Sequence, residues 1–226
     1  MKGVYLIVSS KYWHKTLFEN LKKKIDGEWY FISNEKEFCT DNLEKIKPEY
    51  VFIPHWSKFI PEQIYTNYKC IVFHMTDLPF GRGGSPLQNL ISRGIYETKI
   101  SAINVVKDLD AGDVYLKKPL SLYGTAEEIF LRASEIIEKM ILEIITDQLK
   151  SSPQSGEPIV FRRRKPEESN IVNLSDIKTV FDYIRMLDAE DYPSAFIETE
   201  FFRFEFSRAF LRFDNSIEAN VRIFKK

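Results

Sequence analysis

Three short, uninterrupted apolar runs govern what this chain can become: VYLIV at residues 4–8, YVFI at 50–53 and CIVF at 70–73. A strand with one wet face alternates apolar and polar residues. A run that is apolar at every position has to be covered on both faces, which is the situation of a strand inside a parallel sheet. The stretches between the runs read differently. Trp13, Leu17, Phe18, Leu21 and Ile25 recur at helical spacing, Leu43 and Ile46 sit in a short helix stopped by Pro48, and another helix opens at Pro61. A further strand falls at residues 29–32. Strands alternating with helices at this spacing predict an α/β fold with a mainly parallel twisted sheet and flanking helices. No G-x-G-x-x-G follows the first strand, where the turn is Ser9-Ser10-Lys11, so a dinucleotide-binding arrangement is disfavoured.

The middle of the chain is denser in punctuation. GRGGSP at residues 81–86 reads as a loop opening a helix through Leu87, Leu90 and Ile91 that ends near Gly94. Residues 100–106 and 114–122 read as paired strands around Asp110-Ala111-Gly112-Asp113. Thr125 and Glu128 make a capping box, and Ile129, Ala133, Ile136, Met140, Ile144 and Ile145 form the stripe of the helix behind it. Composition then shifts. SSPQSG at 151–156 reads as a linker, FRRRKP at 161–166 as a basic crossing segment, and Ile177, Val180, Phe181, Ile184 and Leu187 as one more amphipathic helix. Residues 196–224 are rich in aromatic and β-branched side chains and predict two or three strands. The expected division is residues 1–150 as the main domain and 151–226 as linker and a small α+β extension.

Charge narrows the function. Acidic and basic residues nearly cancel over 226 residues, leaving a formal net charge of −1, which argues against a general nucleic-acid or membrane-surface binder. The apolar run at 4–8 is too short for a secretory signal, and no stretch reaches the length of a membrane helix, so a cytoplasmic protein is expected. Cys39 and Cys70 lack ligand-like spacing and read as reduced core thiols, and no metal site is expected.

The histidines number three. His14, beside a lysine in the first helix, reads as partly exposed. His55 and His74 fall at the ends of predicted parallel strands, where ligands of open α/β sheets bind. Position alone does not separate a structural histidine from a working one, but the surrounding residues do. The segment FHMTDLPFGRGGSP at 73–86, followed downstream by Leu109-Asp110-Ala111-Gly112-Asp113, resembles the folate-dependent formyltransferases. In that family a strand ends in a histidine, a short Leu-Pro loop and an arginine–glycine turn follow, and a Leu-Asp-x-Gly motif comes later. The resemblance covers residues 50–150 well and the first third more loosely. FRRRKP and LDAEDYP at 187–193 look like the segment after the catalytic domain in formyltransferases acting on amino sugars.

The resemblance implies transfer of a formyl group from N10-formyltetrahydrofolate, as co-substrate, to the amine of an amino sugar. Glycinamide ribonucleotide and methionyl-tRNA are the other acceptors used within the family, and a formylfolate hydrolase would share the same histidine and aspartate. It implies His74 and Asp110 as proton carriers, since histidine can take and return a proton near neutral pH and a carboxylate can hold the ring or relay the proton. The family's asparagine two residues before the histidine is Val72 here. The substitute donor to the formyl oxygen is expected from Asn104 on the next predicted strand, from His74 as imidazolium or from a backbone N–H of the Gly81–Gly84 loop; the alternative that Val72 leaves is a catalytically weak folate- or nucleotide-binding module. The pterin is expected against Ser57, Lys58, Phe59 and Ile60 on one side and Leu109, Ala111, Gly112 and Asp113 on the other. The acceptor is expected near Thr76, Asp77, Arg82, Gly83, Ser85 and Gln88. Neither nucleic acid nor membrane is an expected partner. The surplus of phenylalanines between Phe196 and Phe213 leads to the expectation of a homodimer.

Overall fold

Residues 2–226 are described in a computed structural model. The apolar runs form the centre of a six-stranded sheet in the order β2-β1-β3-β4-β6-β7. Its strands are β1 (Gly3–Ser9), β2 (Gly27–Ile32), β3 (Tyr50–His55), β4 (Cys70–His74), β6 (Glu97–Asn104) and β7 (Val114–Ser121). β1 pairs in parallel with β2 and β3, and β3 with β4, while β4 pairs antiparallel with β6. The fold is therefore α/β with a mainly parallel sheet, as the runs predicted. Leu6, Val8, Val51, Ile53 and Cys70 are buried in one cluster with Ile32, Phe38, Leu43 and Ile64. Each such side chain taken from water contributes roughly 1.5–3 kcal/mol before entropy is counted.

Helices α1 (His14–Lys24), α2 (Thr40–Ile46) and α3 (Glu62–Tyr65) make the crossings between the parallel strands. α1 buries Leu17 and Leu21, and its Lys24 and Asn20 reach Glu138 of α5 (Ala126–Thr146) at 2.5 and 2.8 Å. Of the loop expected at residues 81–86, Gly81, Arg82 and Gly83 belong instead to the short strand β5 (Phe80–Gly83), which pairs with β8 (Ile159–Phe161). The two glycines disguise it: both take positive φ, 79° at Gly81 and 106° at Gly83, and the pairing partner lies far along the chain.

The chain divides into two compact units. The first comprises residues up to Arg82, Lys99–Leu120 and Leu131–Val160; the second comprises Gly83–Thr98, Ser121–Phe130 and Phe161–Lys226. In the second unit, α4 (Pro86–Ile91) and α6 (Ile177–Arg185) accompany an antiparallel sheet of β9 (Ala195–Glu198), β10 (Phe202–Leu211) and β11 (Ile217–Lys225), in the order β11-β10-β9. Register sets Phe204 beside Ile197 and Ile223, and Phe206 beside Ala195 and Val221, on one face. Arg203 takes the other face, where it meets Glu198 and Glu205 at 3.2 and 3.0 Å. No helix among the described residues is long and apolar enough to cross a membrane.

Candidate active site

His74 is the last residue of β4, and only 9% of its side chain is exposed. Its Nε2 lies 2.7 Å from the carbonyl oxygen of Gly81. A carbonyl only accepts, so Nε2 carries the hydrogen and donates it. The other ring nitrogen is thereby left to exchange a proton. Nδ1 stands 3.4 Å from Oδ2 of Asp110, whose side chain is 12% exposed. That separation is longer than a good hydrogen bond, and such contacts commonly tighten when substrate arrives. Asp110 has a positive φ of 53°, a left-handed conformation that aspartate tolerates better than most residues. Gly112 follows in the same turn. A Cβ there would collide with the carbonyl of Asn104, so the glycine allows this loop to lie against the end of β6.

Beside the pair opens a cleft of about 260 Å³. Its wall takes in Ile53, His55, Trp56, Lys58, Phe59, Ile60, Val72, His74, Asn104, Leu109 and Asp110. Phe59 and Leu109 are exposed apolar side chains at 90% and 57%. Of the residues expected around the pterin, Lys58, Phe59, Ile60 and Leu109 line this cleft, whereas Ser57, Ala111, Gly112 and Asp113 do not. Lys58 also pairs with Glu35 at 3.4 Å. His55 and Trp56, which open the same loop expected beside the pterin, line the cleft as well.

The position two before His74 stays apolar: Val72 lies between Ile53 and Ile103 in the sheet. Asn104 does not stand beside it. Register pairs Asn104 with Ile71 and His74 with Ser101, so strand alternation points the Asn104 and His74 side chains to opposite faces. The Asn104 amide instead donates to Ser151 Oγ at 2.8 Å. It nevertheless lines the same cleft as His74.

The residues expected near the acceptor have other partners. Thr76 is fully buried, and its carbonyl accepts from Ser101 Oγ at 2.8 Å. Asp77 meets Lys117 at 2.6 Å and Lys99 at 2.9 Å. Burial pushes its carboxyl up, but the two ammonium groups outweigh that and hold it below the usual carboxylate range. Arg82 donates twice to Gln154 Oε1, from Nε at 3.1 Å and from Nη2 at 2.8 Å. In the second unit, Gln88 is buried and donates to the Met186 carbonyl at 3.1 Å, and Ser85 Oγ accepts from the Arg164 N–H at 3.1 Å. Gly83 passes so close to the Phe161 carbonyl that a Cβ would not fit.

His14, expected partly exposed, is 2% exposed. The turn after β1 folds it inward, with Nδ1 2.7 Å from Ser9 Oγ and its ring 6.5 Å from that of His55. Burial, the neighbouring His55 and Lys11 push His14 down to about 3; burial and Lys11 push His55 down to about 4. The unfolded chain takes up these protons near the ordinary value of about 6.5, well before the folded one does. Stability from this pair is therefore complete above about pH 6.5 and declines as the pH falls toward 4. Urea midpoints should drop between about pH 7.5 and about pH 5.5, and less so in a His14→Asn, His55→Asn variant. An equal drop in the variant would assign the acid sensitivity to other groups.

Cys39 and Cys70 are both free, and burial raises the Cys70 thiol to about 12. Among the described residues no group of three or more His, Cys, Asp or Glu side chains is placed to hold a metal ion.

The formyl transferase family matches residues 16–144, more than half of the chain, and spans both His74 and Asp110. The chain belongs to the formyl transferase family. Residues 166–224 match a second family described as the C-terminal domain of methionyl-tRNA formyltransferase. Among solved structures, one described as methionyl-tRNA formyltransferase from Clostridium thermocellum is 49% identical, with a TM-score of 0.95, and the match covers 98% of this chain and 99% of that one. A sugar N-formyltransferase from Shewanella sp FDAARGOS_354 has the same fold, with a TM-score of 0.65 over 96% of this chain and 95% of that one, at 15% identity. The methionyl-tRNA formyltransferase of Sulfurihydrogenibium sp. (strain YO3AOP1) is 26% identical over 73% of this chain and 55% of its own length. The chain thus spans about half the length of the curated relatives it matches.

Proposed function

We propose that this member of the family moves a formyl group from N10-formyltetrahydrofolate to the amine of an amino sugar, with His74 and Asp110 carrying the proton. The observation that carries the proposal is the His74 ring: Nε2 is anchored on the Gly81 carbonyl, and Nδ1 faces Asp110 on the wall of a cleft. The folate co-substrate supplies the activated formyl carbon. Apolar walls at Ile53, Phe59, Ile60 and Leu109 fit a flat ring, and the same lining holds the polar groups of His74, Asn104 and Asp110. The acceptor nitrogen bonds to the formyl carbon, the bond from that carbon to the folate nitrogen breaks, and the surplus amine proton passes through Nδ1 and Asp110 to the departing nitrogen. With Val72 in the wall, positive charge on protonated His74 is the stabilising element we assign to the oxyanion.

The names of the similar proteins favour a second reading, in which methionyl-tRNA is the acceptor. Charge favours the sugar. The chain is nearly neutral, and two cations of its basic run have partners within the chain: Arg162 pairs with Glu168 at 2.8 Å, and Arg164 donates to the Glu168 carbonyl at 2.8 Å. Binding of tRNA rests on cations placed against phosphates. The chain should be assayed with N10-formyltetrahydrofolate and three acceptors: nucleotide-linked amino sugars, glycinamide ribonucleotide and methionyl-tRNA. Turnover is expected on an amino sugar. Turnover on methionyl-tRNA alone would replace that acceptor with tRNA.

A further inference from the structure

The segment at residues 151–156 has the composition of a linker, yet it is pinned along its length. Ser151 Oγ accepts from Asn104. Ser152 exchanges both backbone hydrogen bonds with Val114, at 2.8 and 2.9 Å. Gln154 uses every face of its amide. Its Nε2 donates to the carbonyls of Asp110 and Gly112 at 2.8 and 2.9 Å, while its Oε1 accepts both N–H groups from Arg82. The amide orientation is forced, because a flip would set NH₂ against a guanidinium and an oxygen against two carbonyl oxygens.

We infer that Gln154 is a positioning residue that fixes the Asp110 turn opposite His74, with Arg82 orienting its amide. Resting on the proposed roles of His74 and Asp110, the inference adds what holds them at their separation. Two adjacent residues of β5 serve the two halves: Gly81 anchors the His74 ring through its carbonyl, and Arg82 anchors the Asp110 turn through Gln154. The turn needs such a tie, since Asp110 sits in a left-handed conformation at the end of an exposed loop. Gln154 reaches only the backbone of that turn, so it acts on geometry and leaves the chemistry to the side chains.

The test uses the full chain with Gln154→Met, which keeps the length and removes the amide, and Gln154→Glu, which keeps the acceptor for Arg82 and removes the donor to the loop. Arg82→Met removes the other end, and Ser155→Ala is the control. Two quantities are read: the ¹⁵N chemical shifts of the His74 ring, with His14 and His55 as internal references, and the kinetics. The expected result is that both Gln154 variants and Arg82→Met move the His74 signals in the direction that Asp110→Asn moves them, while His14 and His55 stay put. kcat is expected to fall on the order of 10-fold or more, with KM for the formyl donor changing much less. Combining Arg82→Met with Gln154→Met should cost no more than either alone. Unmoved His74 signals, or an unchanged kcat with only a lower melting temperature, would overturn the positioning role. The spectra decide it even if none of the acceptors above is formylated, so its failure is separable from that of the proposed function.

Discussion

Replacing His74 with asparagine should lower formyl transfer by about 100-fold or more while the chain stays folded, and Asp110→Asn should do the same. Asparagine fills similar space and can keep a donor toward the Gly81 carbonyl, so β4 and β5 lose little support. It cannot accept the amine proton. Asp110→Asn keeps the turn and removes the charge that faces Nδ1 across 3.4 Å. On the proposed single proton path, the double variant should be little worse than either single one. Steady-state turnover with a matched thermal melt checks this. If His74→Asn retains near-full turnover on the true acceptor, the proton passes elsewhere.

The second large effect is on stability. Arg185 and Asp182 form a buried pair in the second unit, 3% and 6% exposed, with Nε 2.7 Å from Oδ1. Arg185 Nη1 also donates to the carbonyls of Leu122 and Gly124 at 2.6 and 2.8 Å, and the Tyr96 hydroxyl donates to Asp182 Oδ2 at 2.6 Å. Among the described residues Nη2 finds no partner, so the pair is not fully repaid for leaving water. Its presence need not be strongly stabilising, but breaking it is costly. Arg185→Met leaves a buried carboxylate and two stranded carbonyls, and should destabilise by about 3–5 kcal/mol. Adding Asp182→Leu should recover part of that loss, since the unpaired charge goes with it. Denaturant unfolding of the two variants beside the unaltered chain measures this. A loss below about 1 kcal/mol for Arg185→Met would mean that water reaches the pair.

The sheet was legible because burial on both faces leaves a mark that composition cannot hide: the runs at 4–8, 50–53 and 70–73 became β1, β3 and β4. His74 was legible as a strand-end residue for the same reason, whereas Asp110 was singled out only by the family resemblance that Leu109-Asp110-Ala111-Gly112 carries. The misreadings share a cause, since each depends on a partner distant in sequence. Residues 81–83 look like loop because glycines announce freedom, whereas their partner strand begins at Ile159. His14 looks exposed beside lysines until the turn after β1 brings Ser9 to its ring. Asn104 shares the cleft wall with His74, but antiparallel register sets Ser101 opposite His74, and only the distant Ser151 shows where the Asn104 amide goes. Gln154 carries no local signal, since serine, proline and glycine around it describe a linker equally well. Its role appears only when the Asp110 turn and Arg82 are placed on either side of its amide.

The central claim is that His74 and Asp110 serve transfer of a formyl group to an amine, and following a labelled formyl carbon tests it most directly. N10-formyltetrahydrofolate carrying that label should be incubated with the wild-type chain, with His74→Asn, and with or without a nucleotide-linked amino sugar. The expected result is label in a new amide on the sugar nitrogen, strict dependence on the acceptor, and loss of about 100-fold or more in the variant. Label released as free formate at the same rate with and without the sugar, or transferred undiminished by His74→Asn, would contradict it.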